Sequence, residues 1–201
     1  MYKYVGVKPG GKVHVSDREL IRKARQGDET ACEELVQRYQ EAAFRLAYLL
    51  LGDPHEAEDA VQEAFIQFFR TLERFDAALP VRPWLLRITT NQAHNRHRAA
   101  SRYVNALRRL LPNTLAEMTT PHDHAEQAWT EQTLWQAIRQ LEIADQEVIY
   151  LRYYLALSEE EMAQTLHVAP GTVKSRLHRA LARLRALTRK DFPALWEARD
   201  Q

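Results

Sequence analysis

The part of the chain richest in side chains that can bind a ligand lies between residues 170 and 190. Seven of these residues are basic and none before Asp191 is acidic. The basic residues are Lys174, Arg176, Arg179, Arg183, Arg185, Arg189 and Lys190. Lysine and arginine side chains neutralise phosphates, and they also hydrogen-bond base edges in the major groove of DNA. The composition of this segment therefore favours binding to nucleic acid, with a solvated basic helix as the alternative.

The spacing of apolar residues shows which side of this segment is available for such contacts. At 100° per residue the apolar side chains form one stripe, which predicts a helix packed on a core. This stripe contains Val173, Leu177, Ala180, Leu181, Leu184 and Leu187. The opposite face contains Lys174, Ser175, His178, Arg179 and Ala182. Arg176 and Arg183 lie beside the stripe, a position that favours phosphate contacts or ion pairs.

A shorter helix is predicted immediately before this basic helix. Ser158 and Glu161 have the spacing of a capping box, which satisfies the first backbone N–H groups of a helix. An apolar face follows at Met162 and Ala163, and Pro170 suits the first turn of the second helix. A capped short helix, a tight turn and a basic second helix together predict a helix-turn-helix motif, which places its second helix in the major groove.

Composition limits the class of protein. The chain has 201 residues, of which 45% are hydrophobic and 27% are charged, and this predicts a globular protein of one or two domains. Its 28 Lys and Arg against 27 Asp and Glu give a net charge of only +1, so a nucleic-acid surface must come from segregated charge. Residues 77–116 contain seven arginines and no acid, whereas residues 53–63 contain five acids and neither Lys nor Arg.

Cysteine content and hydropathy bear on the location of the protein. Cys32 is the only cysteine, which excludes an internal disulfide bond and a cysteine-based zinc site. No apolar run approaches the roughly 20 residues of a membrane span, and no charged-then-apolar leader stands at the N-terminus. We therefore expect a cytoplasmic protein without membrane insertion.

Asp53 and Pro54 predict the start of a long helix with two different faces. The face that we expect to be buried contains Ala57, Ala60, Val61, Ala64, Phe65, Phe68 and Leu72. The other face contains Asp59, Gln62, Glu63, Ile66 and Arg70. Ile66, on this acidic and polar face, is either an ordinary exposed residue or part of a docking surface for a partner protein.

A further helix is predicted after a loop over residues 76–83. The side that we expect to pack contains Trp84, Leu85, Ile88 and Gln92. An adjoining stripe contains Arg87, Thr90, Asn91, His94, His97 and Arg98. Its mixture of positive charge and hydrogen-bonding groups suits one strand of nucleic acid, and a solvated bundle face is the alternative. His94 and His97 are poor candidates for a metal site because no Cys, Asp or Glu lies nearby in sequence.

These patterns predict an all-α protein of two helical domains joined by a linker, with the helix-turn-helix in the C-terminal domain. The expected division is an N-terminal extension over 1–15, a first domain over 16–109, a linker over 110–125, a second domain over 126–190 and a tail over 191–201. The sequence lacks a Gly-rich phosphate loop and the common hydrolase and metalloprotease motifs. We therefore expect no enzymatic activity, no cofactor and no metal.

Two sequence blocks resemble regions 2 and 4 of the extracytoplasmic-function (ECF) sigma factors, small two-domain relatives of the bacterial housekeeping sigma factor. The first block is HEAEDAVQEAFIQFFRTLERF followed by PWLLRITTNQAHNRHR, and the second is EVIYLRYYLALSEEEMAQTL with PGTVKSRLHRALARLR. Both occur in the order expected for the family. The resemblance implies a subunit without a catalytic site that binds core RNA polymerase, recognises promoters and helps to open the minus-ten duplex.

The resemblance also implies roles for individual residues. Asp59 and Gln62 match a motif that contacts the clamp helices of the polymerase, and we expect Glu63 and Ile66 to extend this surface. Asn91 matches the residue that receives a flipped minus-ten base from the non-template strand. The residues expected beside it on that strand are Arg87, Thr90, His94 and Arg98. The residues expected to contact the minus-thirty-five duplex are Thr172, Lys174, Ser175, Arg176, His178 and Arg179.

An anti-sigma factor is a further candidate partner under this interpretation. The alternative function is a helix-turn-helix regulator that binds duplex operators without polymerase, with residues 16–109 as a sensory or dimerising bundle. The acidic face with Ile66 distinguishes the two, because a sigma factor needs such a face for polymerase and a regulator does not.

Overall fold

The computed structural model of the chain describes residues 15–110 and 129–191. Within these ranges the chain forms α-helices with one 3₁₀ turn and one π-helical turn, and no β-strand occurs there. The predicted all-α fold is confirmed. The N-terminal extension, the linker and the tail predicted from the sequence lie almost entirely outside the described residues. None of the helices in the described ranges combines the length and the apolar character that a membrane crossing requires.

The first domain contains four helices, α1 (Asp17–Arg25), α2 (Glu29–Leu51), α3 (Pro54–Thr71) and α4 (Val81–Leu110). A 3₁₀ turn, Leu72–Arg74, follows α3. The helices α2, α3 and α4 pack on one another, and α1 packs on α2. This arrangement brings α3 and α4, which carry two of the predicted binding surfaces, side by side.

Short polar side chains cap the first three helices. The side chains of Ser16, Asp28 and Asp53 each accept a hydrogen bond from the backbone N–H three residues later, which satisfies a donor that the helix itself leaves unpaired. Gly52 ends α2 with a left-handed backbone (φ 75°), a conformation that glycine adopts without steric strain. The helix start predicted at Asp53 is confirmed by its cap.

The start of α4 differs from the prediction. The sequence pattern predicts a loop through Pro83, but α4 begins at Val81 and Pro83 lies within its first turn. Proline is tolerated there because the first N–H groups of a helix have no intrahelical acceptor. The loop is therefore shorter than predicted, and Arg82 belongs to the helix.

The core of the first domain lies between these four helices. Ile21, Leu35 and Phe68 are among its fully buried side chains, and burial of each such side chain stabilises the fold by about 1.5–3 kcal/mol. Near the start of α4, Trp84 stacks on Phe75 with ring centroids 4.2 Å apart. This apolar contact fixes the loop before α4 against the helix.

The second domain also contains four helices, α5 (Trp129–Arg139), α6 (Ile143–Ile149), α7 (Glu159–Leu166) and α8 (Pro170–Asp191). A π-helical turn, Tyr150–Tyr154, continues α6. The two helices of the predicted helix-turn-helix are both present, as α7 and α8.

The helix-turn-helix motif consists of α7 and α8. The Ser158 hydroxyl accepts a hydrogen bond from the Glu161 N–H at 3.2 Å, and the Glu161 carboxylate accepts one from the Ser158 N–H at 2.8 Å. These two bonds confirm the predicted capping box. His167 ends α7 with a left-handed backbone (φ 53°), and the Val168 N–H donates to the Ala163 carbonyl at 3.0 Å. This closed turn sets the direction of α8 relative to α7.

The two domains pack directly against each other. The helix α7 lies on α4, and one continuous apolar cluster joins Leu46 and Leu86 of the first domain to Ile138 of the second. At the edge of this contact, Arg82 donates a hydrogen bond to the Leu155 carbonyl at 2.8 Å. Part of the surface of α4 is therefore covered by the second domain.

Candidate polymerase and nucleic-acid surfaces

The outer face of α8 carries the residues predicted to read duplex DNA. The side chains of Lys174, Ser175, His178 and Arg179 are exposed, whereas Val173 on the opposite side is completely buried. Because a helix repeats every 3.6 residues, the four exposed residues share one side of α8. Basic and hydroxyl side chains in this arrangement can contact base edges when the helix lies in a major groove.

The other two residues predicted for this duplex lie deeper. Thr172 and Arg176 are half-buried, and Arg176 lies close enough to Glu147 to lower the pKa of that carboxyl group. Arg183, for which the sequence left phosphate contact or ion pairing open, forms an ion pair with Asp145 at 2.5 Å. This ion pair holds α8 against α6, so that the exposed face keeps a defined orientation.

The outward face of α3 carries the residues predicted to bind polymerase. Asp59, Gln62 and Glu63 are exposed, and Ile66 is 44% exposed. The opposite side of the helix is completely buried at Ala57, Ala60 and Ala64. An acidic face with one apolar side chain suits a basic partner surface with an apolar recess.

Arg96 of α4 reaches across to this acidic face. Its guanidinium lies 2.6 Å from Glu56, 2.8 Å from Glu63 and 3.4 Å from Asp59. Partial burial disfavours its charged form, but the hydrogen bonds to Glu56 and Glu63 raise the pKa of Arg96. Sequence reasoning missed this residue, because its partners lie in another helix. The only available signal was the complementary charge of the acidic and the basic segments.

The stripe of α4 predicted to hold a single strand is only partly open. Asn91 and Arg98 are exposed, Arg87 and His94 are half-buried, and Thr90 is only 5% exposed. The second domain covers the centre of the stripe. The alternative of a fully solvated bundle face is therefore wrong for this part of α4.

The contacts that cover the stripe are polar and incompletely paired. The Arg87 guanidinium lies 3.1 Å from Nδ1 of His167. His94 Nε2 lies 3.8 Å from Glu147 Oε1, which is too far for a hydrogen bond. Thr90 Oγ1 and His94 Nε2 are buried and have no hydrogen-bond partner among the described residues.

Burial changes the titration of the two ionisable groups at this contact. Glu147 is 6% exposed, and desolvation raises its pKa to about 7, against the smaller lowering effects of Arg176 and the Thr90 hydroxyl. That hydroxyl faces the carboxyl group without reaching hydrogen-bonding geometry. Burial lowers the pKa of His94, and the charge of Arg98 acts in the same direction. Near neutral pH the contact therefore joins a neutral imidazole to a partly protonated carboxyl group.

An open cavity of about 590 Å³ lies beside the stripe, between α3, α4 and α7. The stacked rings of Phe75 and Trp84 form part of its wall, Asn91 lines it from α4, and Gln164 and His167 line it from the second domain. Aromatic rings stack on bases, and an amide can hydrogen-bond a base edge. The cavity has suitable chemistry for an unstacked base.

The chain matches two family models and several named relatives. Residues 35–103 match Sigma-70 region 2, and residues 131–184 match Sigma-70 region 4. The chain is 32% identical to the ECF RNA polymerase sigma factor SigW of Bacillus subtilis over 84% of this chain and 94% of SigW. It is 34% identical to the ECF sigma factor SigL of Mycobacterium tuberculosis over 81% of this chain and 94% of SigL. This chain belongs to the ECF sigma factors of the sigma-70 family.

Two solved structures, one of them of a sigma factor, share its fold. CnrH, in complex with the cytosolic domain of CnrY, has a TM-score of 0.65 and 26% identity, and the match covers 87% of this chain and 98% of CnrH. The sigma factor RpoE of Bartonella quintana, in complex with the anti-sigma factor NepR, has a TM-score of 0.62 and 24% identity over 79% of this chain and 97% of RpoE. The likeness to RpoE concerns the fold alone.

As an ECF sigma factor, the protein directs promoter recognition by RNA polymerase, and the operator-binding alternative is not favoured. Region 2 spans most of α2 together with α3 and α4, and region 4 spans most of α5 through α8. The predicted polymerase and minus-ten residues thus lie on neighbouring helices of one region. The predicted minus-thirty-five residues lie in the other region.

The structure contains no candidate metal centre in the part of the chain that it describes, since no suitable group of His, Cys, Asp or Glu side chains occurs there. His94 faces Glu147 of the second domain at 3.8 Å, a neighbour that local sequence does not reveal.

Proposed function

We propose that this sigma factor binds its partners through three separate surfaces. The outward face of α3 binds core RNA polymerase, the stripe of α4 with its cavity binds the minus-ten strand, and the outer face of α8 binds the minus-thirty-five duplex. The observation that carries the proposal is the likeness to an ECF sigma factor over 84% of the chain, with both sigma regions in family order. The functional division into residues 16–109 and 126–190 is part of the proposal.

The polymerase surface consists of Asp59, Gln62, Glu63 and Ile66, and its target is the clamp helices. The exposed carboxylates favour encounter with a basic surface. This electrostatic attraction weakens at high salt, because the ions screen the charges. The half-exposed Ile66 supplies an apolar anchor, the type of side chain that a partner can desolvate at the centre of an interface.

The minus-ten surface is centred on Asn91. Its amide can donate to and accept from the edge of a flipped base, and the aromatic wall at Phe75 and Trp84 can stack on that base. Arg87 and Arg98 lie on either side of Asn91 along the helix, where each can contact a phosphate. Thr90 and His94 complete the stripe once they are uncovered.

The minus-thirty-five surface is the outer face of α8. Arg179 is the best candidate for a bidentate contact with guanine, because its guanidinium can donate to both acceptors of that base. Lys174, Ser175 and His178 share its side of the helix and complete the base-reading set. The half-buried residues Thr172 and Arg176 serve as flanking contacts to the phosphate backbone.

Regulation by an anti-sigma factor is also part of the proposal. The likeness to CnrH, which was solved in complex with the cytosolic domain of CnrY, supports the binding of a further protein partner to this chain. Sigma factors are in general DNA-recognition subunits, and we propose that this chain likewise has no catalytic activity of its own and uses neither a cofactor nor a metal. We also propose that the protein acts in the cytoplasm, because a subunit of bacterial RNA polymerase works there.

Transcription in vitro tests the proposed function. The purified chain is added to core RNA polymerase with a library of promoter fragments, and transcripts are sequenced. We expect discrete start sites that depend on the chain, each preceded by shared minus-ten and minus-thirty-five sequences. A tight, sequence-specific footprint from the chain alone, without dependence on polymerase, would instead support the operator-binding regulator.

A further inference from the structure

A cation from α4 is set into the acidic face of α3. Glu56, Asp59 and Glu63 are three and four residues apart, so their side chains share one stripe of that helix. The side chains of these acids are 54%, 61% and 49% exposed, whereas the side chain of Arg96 is only 21% exposed. The arginine therefore lies beneath the carboxylates, and the carboxylates form the outer surface.

The guanidinium of Arg96 divides its donors among the three acids. Nη1 lies 2.6 Å from Glu56 and 3.4 Å from Asp59, and Nη2 lies 2.8 Å from Glu63. Like charges one turn apart on a helix repel each other, and the guanidinium between them offsets this repulsion. Nε of Arg96 is buried and has no hydrogen-bond partner among the described residues, so the bonds to α3 fix the guanidinium. Of the two acids that belong to the proposed polymerase surface, Glu63 is held by the shorter bond.

Glu63 keeps one oxygen for a partner. Arg96 donates to Oε1, and no hydrogen bond joins Oε2 to another residue in the described ranges. A carboxylate accepts hydrogen bonds at both oxygens, so a basic group of a partner can bind Oε2 while Arg96 holds Oε1. Ile66, which is 44% exposed, lies one turn further along α3. The ordered carboxylate and the apolar side chain are therefore neighbours on one helix face.

We propose that Arg96 is a positioning residue, which holds the Glu63 carboxylate of α3 in place for a basic side chain of core RNA polymerase. This inference rests on the proposed polymerase surface of α3. A side chain that is ordered beforehand loses less conformational entropy on binding than one that the partner must immobilise. Helix α4 then contributes to polymerase affinity through a residue that lies behind the contact surface.

The charge of Arg96 acts against the same interaction at long range. A positive charge in an acidic face weakens its attraction for a basic partner, which affects mainly the association rate. Ordering of Glu63 acts at contact, and loss of a contact affects mainly the dissociation rate. The positioning role therefore predicts faster dissociation without Arg96, whereas a purely electrostatic role predicts faster association and tighter binding.

The first test measures both rates. The full-length parent chain and its Arg96→Ala variant bind to immobilised core RNA polymerase, and biolayer interferometry follows association and dissociation. The variant should dissociate about three- to tenfold faster, because Glu63 must then be ordered by the polymerase. A fraction of unfolded chain would lower the binding amplitude and leave the dissociation rate of bound molecules unchanged. Arg22→Ala, which removes the same charge and an ion pair with Glu19 on α1, should dissociate like the parent.

The second test asks whether Arg96 acts through Glu63. In a Glu63→Gln chain, Arg96→Ala should change the dissociation rate by less than about twofold, since the carboxylate that it positions is already absent. Glu56→Gln provides the matched background, because Glu56 also pairs with Arg96 but lies outside the proposed polymerase surface. In that background Arg96→Ala should keep its full effect.

The outcomes separate this inference from the polymerase surface on which it rests. If Arg96→Ala dissociates like the parent, binds more tightly, or has the same effect in the Glu63→Gln chain, the positioning role is refuted. If Asp59→Arg with Ile66→Arg still binds core polymerase, the α3 surface is wrong and the inference fails with it. If that double variant loses binding while Arg96→Ala keeps the parent rates, the α3 surface stands and only the role of Arg96 is refuted.

Discussion

Arg96 of α4 and Glu63 of α3 form an ion pair at 2.8 Å, and the same guanidinium holds Glu56 at 2.6 Å. One arginine thus ties the helix proposed for minus-ten binding to the acidic helix proposed for polymerase binding. The carboxylates are about half exposed, so solvent screens each pair and the network matters more than any single bond.

Arg96→Ala should lower the free energy of unfolding by about 1 kcal/mol, because the carboxylates of α3 then repel one another without a cation between them. Urea denaturation of the full-length chain measures this change. The control is Arg22→Ala, which removes an ion pair with Glu19 within α1 and should cost less. Equal losses in the two variants would show that Arg96 does not join the helices.

Asp59→Arg together with Ile66→Arg should abolish co-purification with core polymerase, because the change inverts charge and removes the apolar anchor on the proposed surface. Co-purification with tagged core polymerase measures it. Glu58→Arg makes a similar charge change at an exposed position on another side of α3 and should retain binding. If the double variant still binds core polymerase, the outward face of α3 is not the polymerase-binding surface.

Arg179→Ala should relax selection at one base position of the minus-thirty-five element, at a cost of about 1–3 kcal/mol. Selection from a randomised duplex library with the holoenzyme measures the change position by position. Arg185→Ala, an exposed arginine elsewhere on α8, should leave the base preference intact. A uniform loss over all sequences in the Arg179 variant would identify it as a phosphate contact.

Asn91→Ala should impair promoter opening more than closed-complex formation, because part of the free energy spent on unstacking a base is recovered in its pocket. Permanganate reactivity of the minus-ten region, compared with footprinting of the closed complex, separates the two steps. A pre-melted template should partly rescue the variant. Gln37→Ala, which removes an exposed amide from α2, serves as the control. Equal defects on closed and pre-melted templates would contradict base capture.

Glu147→Gln should change how stability depends on pH. Burial raises the pKa of Glu147 from 4.5 to about 7, opposed by Arg176 and the Thr90 hydroxyl, so the folded protein holds this proton more tightly than the unfolded chain. The contribution of Glu147 to stability is therefore present at low pH and is lost as the pH rises from about 4.5 to about 7. His94 faces Glu147 and acts in the opposite sense, since its pKa is lowered.

Because glutamine does not ionise, the variant should resemble the parent near pH 5 and exceed it in stability by about 1–3 kcal/mol at pH 8. Chemical denaturation of both proteins across this pH range provides the measurement. The difference between them isolates Glu147, since His94 is common to both. A difference that does not vary with pH would mean that the Glu147 carboxyl group titrates normally.

Local sequence determined the helices and the identity of their faces. Ser158 with Glu161, and Asp53 with Pro54, specify helix starts because a cap involves only residues within one turn. Residues such as Lys174 and Ile66 were predicted on exposed faces for a similar reason, since helical periodicity follows from spacing alone. Pro83 shows the limit of this reasoning, because proline suits both a loop and a first helical turn.

Only the tertiary structure decided which faces meet. Thr90 and His94 look solvent-facing on a helical wheel, yet the second domain covers them, because Glu147 is brought to them from more than fifty residues away. Arg96 likewise acquires its role from carboxylates on another helix. Periodicity assigns a residue to a side of its own helix, but the partner of that side depends on how helices distant in sequence pack together.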